Sequence, residues 1–135
     1  MIGLLVITHG TLAQSLLDTA ATIVGPLPAA AALGVERGLD SAELERRFET
    51  LLIQLDDDGA GVLVLTDMFG GTPANLAARH LPLRRMEILN GVNLPMLLKC
   101  ASCRGDMEIE ALADYLVGYG REAIVSTRSV LRRRE

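Results

Sequence analysis

With 135 residues, half of them hydrophobic and 22% charged, the chain has the length of one compact domain and can bury a sizeable core. Its net charge of −4 argues against a nucleic-acid backbone as the main partner, because phosphates call for a basic surface. No stretch approaches the ~20 apolar residues of a membrane span, and Arg132-Arg133-Arg134 reads as a short solvated tail.

The first segment, Met1-Ile2-Gly3-Leu4-Leu5-Val6-Ile7, is apolar almost throughout and leads straight into Thr8-His9-Gly10. It has no charged leader. It therefore reads as a strand over residues 2–8 covered on both faces, not as a secretion signal, and a cytoplasmic location is expected. Leu12, Leu16, Ala20 and Ile23 recur at helical spacing, and Gly25-Pro26 with Pro28 ends that helix. Ala30 to Val35 is a second strand, weakened by alanines of poor β-propensity. Asp40-Ser41-Ala42-Glu43 has the acceptor-then-glutamate spacing of a helix start, and Leu44, Phe48, Leu51, Leu52 and Leu55 line one face of the helix it opens. Asp56-Asp57-Asp58-Gly59 closes that helix as a solvated turn, with no convergent ligands to suggest a metal.

Gly61-Val62-Leu63-Val64-Leu65-Thr66 is the clearest buried strand. It runs into Asp67-Met68-Phe69-Gly70-Gly71-Thr72-Pro73, where Thr72 reads as an N-cap and Pro73 as the first helical residue. That helix continues through Leu76, Ala77 and His80. Met86 to Leu89 is a fourth short strand, followed by Asn90-Gly91-Val92-Asn93-Leu94-Pro95. A helix from about 95 and another from about 106 to 120 come next, the latter with Ile109, Leu112, Ala113 and Leu116 as its apolar stripe. Glu122 to Thr127 is a final strand candidate. The alternation implies an α/β protein: an open, mostly parallel four-stranded sheet with helices on both faces, forming one domain over residues 1–135.

Cys100 and Cys103, in Cys-Ala-Ser-Cys, lack the second ligand pair that zinc would need, since His9 and His80 are the only histidines. The pair falls late in the chain at a helix end, which favours two reduced, partly buried thiols over a redox couple.

Open α/β sheets gather their chemistry beyond the C-terminal ends of the strands. Three polar clusters fall there: Thr8-His9-Gly10-Thr11, Asp67 to Thr72, and Asn90 to Asn93. His9 is the nucleophile candidate, because a neutral imidazole attacks through one nitrogen while the other donates to a carboxylate. Asp67, at the end of a neighbouring buried strand, is the acid that topology brings closest. Gly70-Gly71-Thr72-Pro73 sets small residues and a hydroxyl before a helix, where free N–H groups and the helix dipole suit a phosphoryl group. No Gly-Lys-Ser/Thr follows, so it is not a Walker loop; it also lacks dinucleotide spacing and a nucleophile elbow. His80, between Arg79 and Leu81 on a helix, reads as a surface or interface residue.

These motifs, together with Asn75 and Gly91-Val92-Asn93-Leu94-Pro95-Met96-Leu97, resemble the enzyme IIA family of the mannose-type sugar phosphotransferase system over essentially the whole chain. The resemblance implies a phosphocarrier in which His9 accepts the phosphoryl group and Asp67 is its imidazole partner. Gly10, Gly70, Gly71 and Thr72 would surround the phosphoryl group. It implies the phosphohistidine carrier HPr as donor, an enzyme IIB as acceptor, association with a membrane permease complex, and no cofactor or metal. It also implies a homodimer that exchanges the last strand. The chain stops without a fused IIB domain, which makes a phosphorylation-dependent regulatory role an alternative to sugar uptake. A phosphocarrier serving dihydroxyacetone kinase would share the strand-1 histidine, but its glycine motif resembles Met-Gly-Ser-Ala. A non-enzymatic binding module is a further alternative. A hydrolase acting through His9 and Asp67 lacks a metal cluster or second nucleophile.

Overall fold

A computed structural model describes residues 1–134. Strands and helices alternate as β1 (Gly3–His9), α1 (Leu12–Val24), β2 (Ala30–Val35), α2 (Ser41–Leu55), β3 (Val62–Thr66) and α3 (Thr72–His80). A short 3₁₀ turn at Leu81–Leu83 leads to β4 (Met86–Asn90), α4 (Leu94–Cys103), α5 (Ile109–Glu122) and α6 (Thr127–Arg133). The four strands form one sheet in the order β2-β1-β3-β4, with every neighbouring pair parallel.

The central strands β1 and β3 carry the unbroken apolar runs, because both of their faces are covered. Successive residues point to opposite sides. Leu4, Val6, Leu63 and Leu65 pack with Ala13, Leu17, Leu97, Leu112 and Leu116 from α1, α4 and α5. Leu5, Ile7, Val62 and Val64 pack with Leu44, Phe48, Leu52 and Leu76 from α2 and α3. Burying each such side chain is worth roughly 1.5–3 kcal/mol, which fixes the strand register and hence the positions of the strand ends.

Four local expectations are corrected. The residue capping α3 is Gly71, not Thr72; Thr72 is already helical, and no side-chain bond caps this end. Pro73 still falls within the first turn, where its missing N–H costs nothing. Asp40 does occupy the cap position of α2 but makes no capping bond, and Glu43 instead pairs with Arg46 and Arg47. His80 is buried, not on the surface: its Nε2 lies 2.5 Å from Glu45 Oε1 on α2, and its ring packs on Phe48 at 5.0 Å between centroids.

The fourth correction concerns residues 122–127, which form no strand. Glu122 ends α5, and Thr127 begins α6. Ile124 and Val125 between them are 80% and 63% exposed. A strand exists only by pairing, and no strand of this sheet pairs with the segment.

One buried cation had no forewarning in the sequence. Arg104 is 2% exposed and donates to the carbonyls of Ile2 (3.1 Å), Ala29 (2.9 Å) and Pro28. It fastens the entrances of β1 and β2, at the sheet edge remote from the strand C-termini. Beside it, both cysteines are free; burial pushes the Cys100 thiol up to about 11, which keeps it protonated and inert.

Candidate functional site

The strand order reverses direction between β1 and β3: β2 is added on one side of β1, and β3 and β4 on the other. The C-terminal ends of these two strands therefore flank the crevice that such a reversal opens. His9 is the last residue of β1, and Asp67 comes directly after the last residue of β3.

The two side chains meet in that crevice. Asp67 Oδ2 lies 2.8 Å from His9 Nδ1 and also accepts the His9 main-chain amide at 3.0 Å. With the carboxylate ionised, Nδ1 carries the proton and donates it, leaving the Nε2 lone pair free. The His9 side chain is 49% exposed and that of Asp67 15%, so the imidazole faces outward over a mostly covered acid. Burial opposes the charge on Asp67, but the amide and ring N–H of His9 outweigh it and hold the carboxyl below its ordinary value. Asp67 Oδ1 is buried without a partner, which leaves Oδ2 as the oxygen that makes every contact.

The glycine loop closes over the other side of the ring. A Cβ at Gly71 would sit 2.8 Å from His9 Cε1 and 3.6 Å from Met68 Cγ. The backbone of Gly71 is ordinary (φ −84°), so glycine is required here by space alone. The first helical bond of α3 runs from the Asn75 amide to the Gly71 carbonyl at 2.9 Å, so the amides that precede it have no helical acceptor. Asn75 also donates its side-chain amide to the Gly70 carbonyl at 3.4 Å. Gly10 differs from this loop. Its amide is spent on the Val35 carbonyl at 2.9 Å, and its own carbonyl occupies the space that a Cβ on Gly34 would need. It shapes the turn after His9 and offers no free amide.

Two buried threonines, Thr8 and Thr66, whose bonding roles the sequence did not reveal, stabilise the strand ends. Thr8 Oγ1 accepts from the Ala13 amide at 2.7 Å and donates to the His9 carbonyl at 3.0 Å, tying the start of α1 to the histidine. Thr66 Oγ1 donates to Asn90 Oδ1 at 2.6 Å, and the Thr66 carbonyl receives the amides of Gly91 and Val92. The signal available was a hydroxyl at the last turn of an otherwise apolar strand. The third polar cluster proves structural: Asn93 caps α4 through the Met96 amide (3.0 Å) and donates to the Gly120 carbonyl (3.0 Å).

Fold and site together define an α/β protein with a histidine–aspartate pair at the reversal point of a parallel sheet. The family described as PTS system fructose IIA component matches residues 3–117. The PTS system mannose-specific EIIAB component of Escherichia coli K12 is 31% identical over 130 residues, which cover 95% of this chain but 40% of that protein's length. A solved structure of phosphotransferase system component EIIA from Streptococcus agalactiae superposes with a TM-score of 0.86 at 26% identity, covering 96% of this chain and 99% of that one. The PTS IIA protein associated with the fucose utilization operon of Streptococcus pneumoniae gives 0.84 at 32% identity, covering 96% and 95%. The chain belongs to this enzyme IIA family of the mannose, fructose and sorbose type, the phosphocarriers of the sugar phosphotransferase system. Among the described residues, no helix is long and apolar enough to cross a membrane.

Proposed function

We propose that His9 is the phosphoryl acceptor of this carrier, taking the group from phospho-HPr and handing it to an enzyme IIB or retaining it as a signal to a regulatory target. The observation that carries this reading is the 2.8 Å contact between His9 Nδ1 and Asp67, which leaves Nε2 of the half-exposed ring as the free nucleophile. In the forward step, the Nε2 lone pair forms a bond to phosphorus as the P–N bond to the donor imidazole breaks. The donor nitrogen keeps that electron pair. The Nδ1 proton stays on His9, and the Asp67 carboxylate balances the positive charge that the ring acquires. The amides at the start of α3, with the Thr72 hydroxyl, receive the phosphoryl oxygens; such transfer depends mainly on positioning and charge stabilisation. The chain acts in the cytoplasm, beside the permease complex that the sugar-uptake role requires.

Incubation with phosphoenolpyruvate, enzyme I and HPr, followed by intact-mass measurement, tests the assignment. One phosphoryl group is expected, acid-labile and base-stable as a phosphoramidate. Uptake that persists in His9→Ala, or that maps to His80, overturns it.

A further inference from the structure

Among the described residues, the Asp67 carboxylate is held by no side chain other than that of His9. Its Oδ1 is buried without a hydrogen bond, and its Oδ2 receives the His9 amide and ring. The direction in which it points is therefore set by the main chain that carries it. The residue before it, Thr66, is fully buried and ends β3 in register with Asn90 at the end of β4. Three hydrogen bonds join these two strand ends. The Thr66 carbonyl receives the amides of Gly91 at 3.0 Å and Val92 at 2.9 Å, and the Thr66 hydroxyl donates to Asn90 Oδ1 at 2.6 Å. The first two are main-chain bonds that do not use the side chain at position 90. The third depends on that side chain alone.

A buried hydroxyl needs an acceptor, and Thr66 has one hydrogen to give with two acceptors in reach. Asn90 Oδ1 takes it at 2.6 Å, while the Met68 carbonyl lies at 3.4 Å, near the limit of a hydrogen bond. Met68 follows Asp67 directly, and its Cγ and the His9 ring border the same space beside Gly71. We propose that Asn90 is a positioning residue for phosphoryl transfer: by taking the Thr66 hydroxyl it keeps that hydroxyl off the Met68 carbonyl, and so keeps the Asp67 carboxylate aimed at His9 Nδ1. Without the Asn90 acceptor, the hydroxyl turns to Met68 and draws its carbonyl in. The backbone of Asp67, caught between the two residues, twists. With no other side chain to hold the carboxylate, its 2.8 Å contact with His9 is what gives way. Asn90 touches neither reacting atom; it acts through Thr66 and Asp67. The proposal rests on the assignment of His9 as acceptor and gives the polar cluster after β4 a part in the same site.

The test uses the full chain and two readouts: phosphorylation of His9 by phospho-HPr, and the tautomer of the unphosphorylated His9 ring from nitrogen NMR. In Asn90→Leu the rate at saturating donor should fall about tenfold, KM should change by less than about twofold, and the share of rings protonated on Nε2 should rise. Asn90→Asp keeps the acceptor and should hold the wild-type tautomer, with a rate within about threefold of wild type. Adding Thr66→Val to Asn90→Leu removes the hydroxyl that turns to Met68, so the double variant should recover most of both losses. An Asn90 that only stabilises the fold would lower the melting temperature and leave tautomer and rate unchanged. Should the leucine variant not fold, Asn90→Ala carries the same expectations. Three results overturn the inference: a wild-type rate in folded Asn90→Leu, a slow rate with the wild-type tautomer, or a double variant no faster than Asn90→Leu. A wild-type chain that takes up no phosphoryl group on His9 would instead overturn the acceptor assignment, and the tautomer, which needs no donor, would still judge Asn90.

Discussion

Asp67 Oδ2 takes two hydrogen bonds from a single residue, one from the main-chain amide of His9 and one from its ring Nδ1. The amide bond fixes where the acid stands relative to the end of β1, and the ring bond fixes which nitrogen is free. Backbone and side chain of the nucleophile are thus referenced to the same oxygen.

Asp67→Asn retains the shape of the carboxylate but neither its charge nor its preference for a protonated Nδ1. Phosphoryl transfer is expected to slow by at least about two orders of magnitude while the fold survives. The carboxyl is held below its ordinary value, so its stabilising contribution is complete above about pH 3.9 and is lost as the pH falls through the depressed native value. Urea unfolding of both proteins across that acid range should show the wild-type advantage shrinking as the pH drops. An advantage that grows on acidification would contradict the sign.

Gly71→Ala puts a methyl group 2.8 Å from His9 Cε1 on a backbone that any residue adopts. The ring is half exposed and can swing outward, so the stability change should stay below about 1 kcal/mol. The swing breaks the Asp67 contact, and transfer should fall at least about tenfold in a folded protein. Thermal melts and single-turnover phosphorylation on the same preparation separate the two effects.

Arg104→Met keeps much of the buried stem and removes the guanidinium from three carbonyls. A loss of about 3 kcal/mol is expected from denaturant unfolding, since buried acceptors left without partners cost about 1–3 kcal/mol each. Phosphorylation kinetics of the folded fraction should match the wild type, because this residue holds the opposite edge of the sheet.

We propose a homodimer built by exchange of the C-terminal segment, because Ile124 and Val125 are exposed and β4 has an unpaired outer edge. Light scattering should give a dimer for the full chain and a monomer or aggregate for a chain ending at Ala123. A full-length monomer at micromolar concentration would remove the exchange.

The sheet and the histidine–aspartate pair were legible because central parallel strands are written as apolar runs, and the first polar residue after each run marks the crevice. Thr8-His9 and Thr66-Asp67 have that form. Features that depend on distant partners were not legible. His80 reads as a surface or interface residue until Glu45, 35 positions away, comes within 2.5 Å. Arg104 carries no local sign of burial, because the carbonyls that hold it belong to Ile2, Pro28 and Ala29, at least 75 positions away. Ile124-Val125 has real β-propensity, but propensity cannot supply the second strand that the segment needs. The cap of α3 was ambiguous for another reason: Gly71 and Thr72 are both acceptable caps, and sequence alone does not choose between adjacent candidates.

His9 is still part of the sheet, in register with Val35 of β2, when its ring reaches the crevice. A nucleophile on a mobile loop would let the backbone settle around a newly arrived phosphoryl group, and the settling would release free energy. Here the main chain is held on both sides, and the acid that balances the charge is already in contact. A frame with so little freedom to relax loses, on the proposed reading, little phosphoryl transfer potential to backbone rearrangement between arrival and departure. On the proposed reading the carrier is therefore a near-reversible relay: net flow through it is set by the supply upstream and the demand downstream.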